Sequence, residues 1–181
     1  DADRTFIGNP NPDFNYGINL GASYKAFDFS AIFYGSYGNQ DYNYTLYWTD
    51  FYGSFNGAKS VDALTKSFGA PGVTNPLLPI QSDLNTMGTT QTSSFYVSNA
   101  SFLKIRNVQL GYTFDPKIIK TIGMSKLRIY LQATNPVTIT KYKGLDPELP
   151  PGTSNAQSFG IDEGNYPSNQ RQWIVGLNLT F

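Results

Sequence analysis

The side chains best able to do chemistry lie in two stretches, and neither has the makings of a catalytic centre. Residues 41–55, DYNYTLYWTDFYGSF, gather Tyr42, Tyr44, Tyr47, Trp48, Phe51 and Tyr52 into the densest aromatic run of the chain. Flat rings with one polar edge can stack on a sugar, meet a protein partner, pack an upper strand or form a girdle at a lipid interface. Further on, Asp146, Glu148, Asp162 and Glu163 make residues 136–170 acidic. Carboxylates invite calcium or acid–base chemistry, but these lack EF-hand spacing, and sequence gives no paired geometry. They read as satisfied loop carboxylates or as an acidic rim.

Much chemistry is excluded outright. The chain has no cysteine and no histidine, which removes thiolate nucleophiles, zinc–sulfur sites, disulfides and the commonest general base and metal ligand. There is no phosphate-binding loop and no dinucleotide fingerprint; the glycines of GINLGAS fall on one phase of an alternating segment instead of opening a helix. No enzyme, cofactor or metal site is expected. Thirteen basic residues balance thirteen acidic ones, so no broad positive field awaits nucleic acid. Lys117, Lys120 and Lys126, near Arg128, are too few and too lacking in aromatic company to change that.

The elements that position these residues are strands. Five segments alternate with period two: 14–24, 27–37, about 101–114, 127–135 and the ending 171–181, RQWIVGLNLTF. In the ending, Trp173, Val175, Leu177, Leu179 and Phe181 share one phase, while Gly176, Asn178 and Thr180 share the other. Ile32 breaks the pattern of the second segment, and Lys104 and Arg106 break that of the third by falling on its apolar phase. Glycine, Tyr, Phe, Asn, Ser and Thr are abundant and only 14% of residues are charged. That mix suits a sheet with one apolar face and one uncharged polar face.

Short connections, 25–26 and 115–126, alternate with long ones, about 38–100 and 136–170. In an up-and-down meander the short ones then lie at one end and the long ones at the other, as in outer-membrane barrels with short periplasmic turns and long extracellular loops. The segment lengths also suit tilted spanning strands. No apolar run is long enough for a spanning helix. The alternative is a soluble or surface-anchored carbohydrate-binding β-sandwich, in which the apolar faces pack as core. Structureless loops of such length are uncommon in compact soluble domains, which favours the membrane. Within the first loop, Val61, Leu64 and Phe68 have helical spacing and precede Gly69 and Pro71, predicting a short helix over 58–68. The start, DADRTFIGNPNPD, has no signal-peptide pattern and reads as the middle of a longer polypeptide.

Four blocks carry a family resemblance. TFIGNPNPDFNYGINLGASYKAFDFSAIFYGSYGN (5–39), SSFYVSNASFLKIRNVQLGYTF (93–114), LRIYLQATNPVTITKYKGLDPE (127–148) and GIDEGNYPSNQRQWIVGLNLTF (160–181) resemble, in the family's usual order, the C-terminal part of SusC/RagA-type TonB-dependent outer-membrane transporters of Bacteroidetes. They cover about half the chain; 40–92 matches no pattern of the family.

The resemblance implies an all-β transmembrane antiparallel barrel of about 22 strands around a plug, this chain supplying about the last five strands over residues 1–181. It further implies a bacterial outer-membrane location, a SusD-like surface lipoprotein and TonB as partners, and import of an oligosaccharide or peptide. Five strands have two open edges and cannot span lipid alone, so the chain is expected to be a fragment closed by the rest of the barrel. Asn15, Asn19, Asn107, Gln109, Gln132, Thr134, Asn178 and Thr180 are expected to face plug or lumen. Leu110, Leu131, Val175, Leu177 and Leu179 are expected to face lipid. Phe181 would be the terminal aromatic read by the insertion machinery. For ligand contact the expected residues are Tyr44, Tyr47 and Trp48 in the first long loop and Asp162 with Tyr166 in the second.

Overall fold

A computed structural model describes residues 4–51, 53, 56–82, 92–149, 159–164 and 170–181. Five long strands form one antiparallel sheet in the order β1 (Phe14–Tyr24), β2 (Phe27–Tyr37), β5 (Phe102–Thr113), β6 (Lys126–Thr140) and β8 (Gln172–Thr180). Each long strand neighbours the next in sequence, as the meander reading requires. Lys25, at φ +54°, makes the two-residue turn between the first pair. The helix α3 (Pro116–Ile119), with Asp115 accepting from the Lys117 amide at 2.8 Å, fills the connection between β5 and β6.

The register places like with like. Across the sheet, Ala22, Phe29, Leu110, Leu131 and Val175 form one row, and Gly21, Ser30, Gln109, Gln132 and Ile174 form the next row on the opposite face. Opposed residues share a face and neighbours along a strand alternate, so the apolar set is continuous over all five strands. Nothing among the described residues covers it. Leu110, Leu131, Val175, Leu177 and Leu179 are 49%, 48%, 74%, 59% and 46% exposed, where a sandwich would have buried them.

The two charges on the apolar phase of 101–114 find their explanation here. The ladder slips between Ile105 and Asn107, where Ile105 opposes Val137 but Asn107 opposes Thr134. A bulge on both strands absorbs Arg106, Asn135 and Pro136, with Asn135 at φ +49°. One extra residue reverses every side chain beyond it. Leu103 and Ile105 therefore take the apolar face, and Lys104 turns to the polar one. The bulge also corrects the expected end of the fourth strand: β6 passes Pro136, which cannot donate to the ladder, and continues to Thr140.

The long connections are not structureless. The first carries β3 (Gln40–Asn43), α1 (Thr45–Asp50), α2 (Val61–Thr65) and β4 (Val97–Asn99); the second carries β7 (Ile161–Asp162). From Thr45 to Asp50 the aromatic run is helical, which excludes an upper strand there, and Tyr52 lies outside the described residues. The expected helix over 58–68 is α2, capped by Ser60, whose side chain accepts from the Ala63 amide at 3.2 Å. Its Val61 and Leu64, with Phe68 beyond it, point outward; Ala63 is the buried residue. The core of the chain lies in this assembly: Phe51, Leu78 and Tyr96 are buried, with Tyr42, Leu46 and Tyr47 packed on them.

Candidate functional site

The lowest tier of the loop assembly is an ion-pair network on the polar face. Lys104 is fully buried, with its Nζ 2.6 Å from Asp146 Oδ1 and 2.8 Å from Glu148 Oε2. Arg106 pairs with the other oxygen of Glu148, and the Glu148 amide donates to Asp146 Oδ1 at 3.0 Å. Lys104 also lies over the Phe102 ring and Arg106 over that of Tyr34. A buried ammonium survives only when paired. Residues 141–149 are thereby strapped over β5.

Above it a small sheet joins the two long connections. β3 runs antiparallel to β4 and parallel to β7. The Tyr42 amide donates to Gly160 O at 2.7 Å and the Tyr44 amide to Asp162 O at 2.9 Å. Asp162 is 3% exposed. Its Oδ2 accepts from the Tyr142 hydroxyl at 2.7 Å and its Oδ1 from the Gly164 amide at 2.9 Å. Burial, then the bond to Asp162, pushes the Tyr142 hydroxyl far up. Asp41, also 3% exposed, is raised to about 7 by burial and by the charge of Asp162. Asn43, fully buried, accepts through Oδ1 from the amide and hydroxyl of Thr45, fixing the start of α1.

The top tier is aromatic. Tyr44, Tyr47 and Trp48 have the spacing of one helix face. The two tyrosines stack at 5.3 Å with an interplanar angle of 4°, and Trp48 stands edge-on to both. Trp48 is 39% exposed and lines a cleft of about 650 Å³ between the connections, with Leu46, Thr49, Lys59, Lys143 and Glu163. Lys59 donates to the Trp48 and Phe51 carbonyls at 3.0 and 2.8 Å, closing the end of α1; burial lowers its ammonium. Asp62 receives Lys66 at 2.9 Å and Lys143 at 3.4 Å, which binds α2 to the second connection.

Of the expected ligand residues, the structure brings together Tyr44, Tyr47 and Trp48. Asp162 lies beneath them, with both carboxylate oxygens engaged, so it belongs to the scaffold and not to the surface. Tyr166 lies outside the described residues. Asn15, Asn19, Asn107, Gln109, Gln132, Thr134, Asn178 and Thr180 all lie on the polar face, where Gln109 accepts from Arg128 and donates to Gln132, both at 3.0 Å. Phe181 follows β8, 81% exposed. The ion pairs of Lys104 and Arg106 escaped the sequence reading, although the charges on the wrong phase were their signal. Among the described residues, no group of three or more acidic side chains is placed to hold a metal.

No protein-family model matches the sequence. TonB-dependent receptor P3 of Formosa agariphila is 33% identical over 184 residues, spanning 99% of this chain and 17% of that protein. TonB-dependent receptor SusC of Bacteroides thetaiotaomicron is 30% identical over 189 residues, spanning 99% and 16%. The RagAB peptide importer in its closed-closed state superposes with a TM-score of 0.74 at 25% identity, over 97% of this chain and 18% of that one. In the open-open state the TM-score is 0.68 at 26% identity, over 94% and 17%. The chain thus spans about one-sixth of the length of the relatives it matches, and none of these is named as an enzyme. Strand order, uncovered apolar face and a likeness that runs the length of the chain agree: it belongs to the SusC/RagA-type TonB-dependent receptors, outer-membrane β-barrels of which it forms a segment.

Proposed function

We propose that these residues form five adjacent wall strands and two roof loops of a barrel that imports an oligosaccharide or peptide nutrient across the outer membrane. The import is driven through TonB and assisted by a SusD-like surface lipoprotein. The observation that carries this reading is the continuous, uncovered apolar face over five strands, backed by a hydrogen-bonding face. An antiparallel sheet meets hydrocarbon in this way. In this reading Leu110, Leu131, Val175, Leu177 and Leu179 contact lipid, and the eight polar residues face plug or lumen. The connections 25–26 and 115–126 are periplasmic and the loop assembly is extracellular. Closure uses further strands at β1 and β8, in a barrel of about 22. The exposed Trp48, buttressed by Tyr44 and Tyr47, is the ligand or partner contact.

Support for the cargo class comes from the relatives: the RagAB structures are those of a peptide importer. The β-sandwich alternative needs a second sheet packed on the apolar face; among the described residues the second sheet, β4-β3-β7, belongs to the loop assembly and the apolar face stays exposed. The test is electrophoresis, with and without heating, of detergent-extracted outer membranes containing the native polypeptide that carries this segment. A heat-modifiable species several times the size of this chain is expected, with thiol reagents reaching a cysteine placed in the α1–α2 region on intact cells. A water-soluble species of about 20 kDa, the mass of the chain itself, would sink the reading.

A further inference from the structure

We propose that Asp41 is a proton-operated latch at the seam between the two long connections, holding β7 against β3 when neutral and parting them when ionised. The seam is slight. β7 is two residues long, and the two amide–carbonyl bonds from Tyr42 and Tyr44 tie it and Gly160 to the first connection. Directly at that seam sits a carboxylate from each side, Asp41 from β3 and Asp162 from β7, each 3% exposed.

The two carboxylates are not equivalent. Asp162 has a donor for each oxygen. Asp41 Oδ2 is buried and has no hydrogen-bond partner among the described residues, so a proton shared by the pair belongs on Asp41. Among the described residues, no neighbouring element supplies a countercharge. β7 offers Asp162; the strap after β6 offers Tyr142 and Glu148; β2 offers Tyr34 and Ser36; β4 sets Ser98 opposite Asp41. Lys104, the buried cation of the assembly, is held by Asp146 and Glu148. Asp41 also lines a cleft of about 200 Å³ with Ser36, Asn39, Glu148 and Gly160, which gives the proton a path to solvent.

The direction follows from linkage. The Asp41 carboxyl rises from its ordinary 3.8 to about 7 when the seam is closed. The closed state therefore holds the proton more tightly than the parted one. Closure is strongest below the ordinary carboxylate range, weakens as pH rises through the interval from 3.8 to about 7, and is weakest above it. An ionised Asp41 meets the charge of Asp162 in a dry seam, and separation restores its water.

The test is hydrogen exchange followed by mass spectrometry on the full-length receptor in lipid nanodiscs, between about pH 5 and 8.5, normalised for intrinsic exchange chemistry. Protection at the Tyr42 and Tyr44 amides should fall about tenfold or more across that range, while the β5 amides hold steady. Asp41→Asn, which keeps the shape without the charge, should abolish the dependence, and Asp162→Asn should move its midpoint to lower pH. A flat wild-type profile, or an Asp41→Asn profile that follows the wild type, overturns the latch. If Asp41→Asn fails to insert, the wild-type midpoint and its shift in Asp162→Asn decide. The readout needs no cargo, so it stands apart from the import reading.

Discussion

Lys104 Nζ and Asp146 Oδ1 lie 2.6 Å apart, both residues buried, and that contact joins two stretches 42 positions apart in sequence. Lys104 belongs to the strand block SFLKIRNV and Asp146 to the loop block KGLDPE. Lys104→Met takes the ammonium away from the buried carboxylate of Asp146 and from Glu148, which keeps Arg106. It should cost about 3–5 kcal/mol, measured as a shift in the urea unfolding midpoint of the full-length receptor refolded into vesicles. The triple variant with Asp146→Asn and Glu148→Gln should recover most of the loss. An unchanged Lys104→Met would show that the network contributes no stability.

Leu131 opposes Leu110 on one side and Val175 on the other, at the centre of the apolar face. Leu131→Arg should cost about 2–4 kcal/mol in a bilayer, by the same unfolding measurement. Asn19→Arg, on the polar face, should cost clearly less. In water an exposed leucine could become arginine at little expense, so equal small effects for both variants would argue against a lipid-facing sheet.

Gly35 is closely approached by both neighbours of β2. A Cβ there would lie 2.7 Å from the backbone oxygen of Phe102 and would overlap the Tyr16 ring. The backbone cannot rotate away, so Gly35→Ala should cost about 1–3 kcal/mol. Gly21→Ala, with nothing within 4 Å, should stay within about 0.5 kcal/mol of wild type. Folding yields into vesicles, compared side by side, check the pair.

Tyr142→Phe removes the donor to Asp162 Oδ2 and nothing else of comparable size. It should weaken the loop assembly by about 1–3 kcal/mol, the desolvation cost of a buried acceptor left unsatisfied. Hydrogen exchange should rise at the Tyr44 amide and stay constant in β5 and β6. A rise throughout the sheet would mean that the loops and wall unfold as one unit.

Trp48→Ala should reduce cargo uptake about tenfold or more if Trp48 is a ligand anchor, with the heat-modifiable barrel formed in normal yield. Tyr47→Ala, which removes packing against Tyr44 and Trp48, should loosen α1 as well. Uptake unchanged in Trp48→Ala would return the aromatic cluster to a purely structural role.

The sequence by itself determined the wall of this protein. Period-two alternation has only two phases, so Leu177 and Asn178 must take opposite faces once the strand exists, and turn spacing orders the strands. It equally excluded histidine- and cysteine-based chemistry, since no fold can supply an imidazole or a thiol. Only the tertiary structure decided the fate of Lys104, because a one-residue bulge formed by two strands together reverses its face. The same holds for Asp162, whose neighbour Tyr142 is 20 residues away, and for Asp41, buried through pairing of its strand with β4 and β7. Periodicity is local and survives in a single chain segment. Ion pairs and buried carboxylates depend on which loops meet, and that is settled by the strands that carry them.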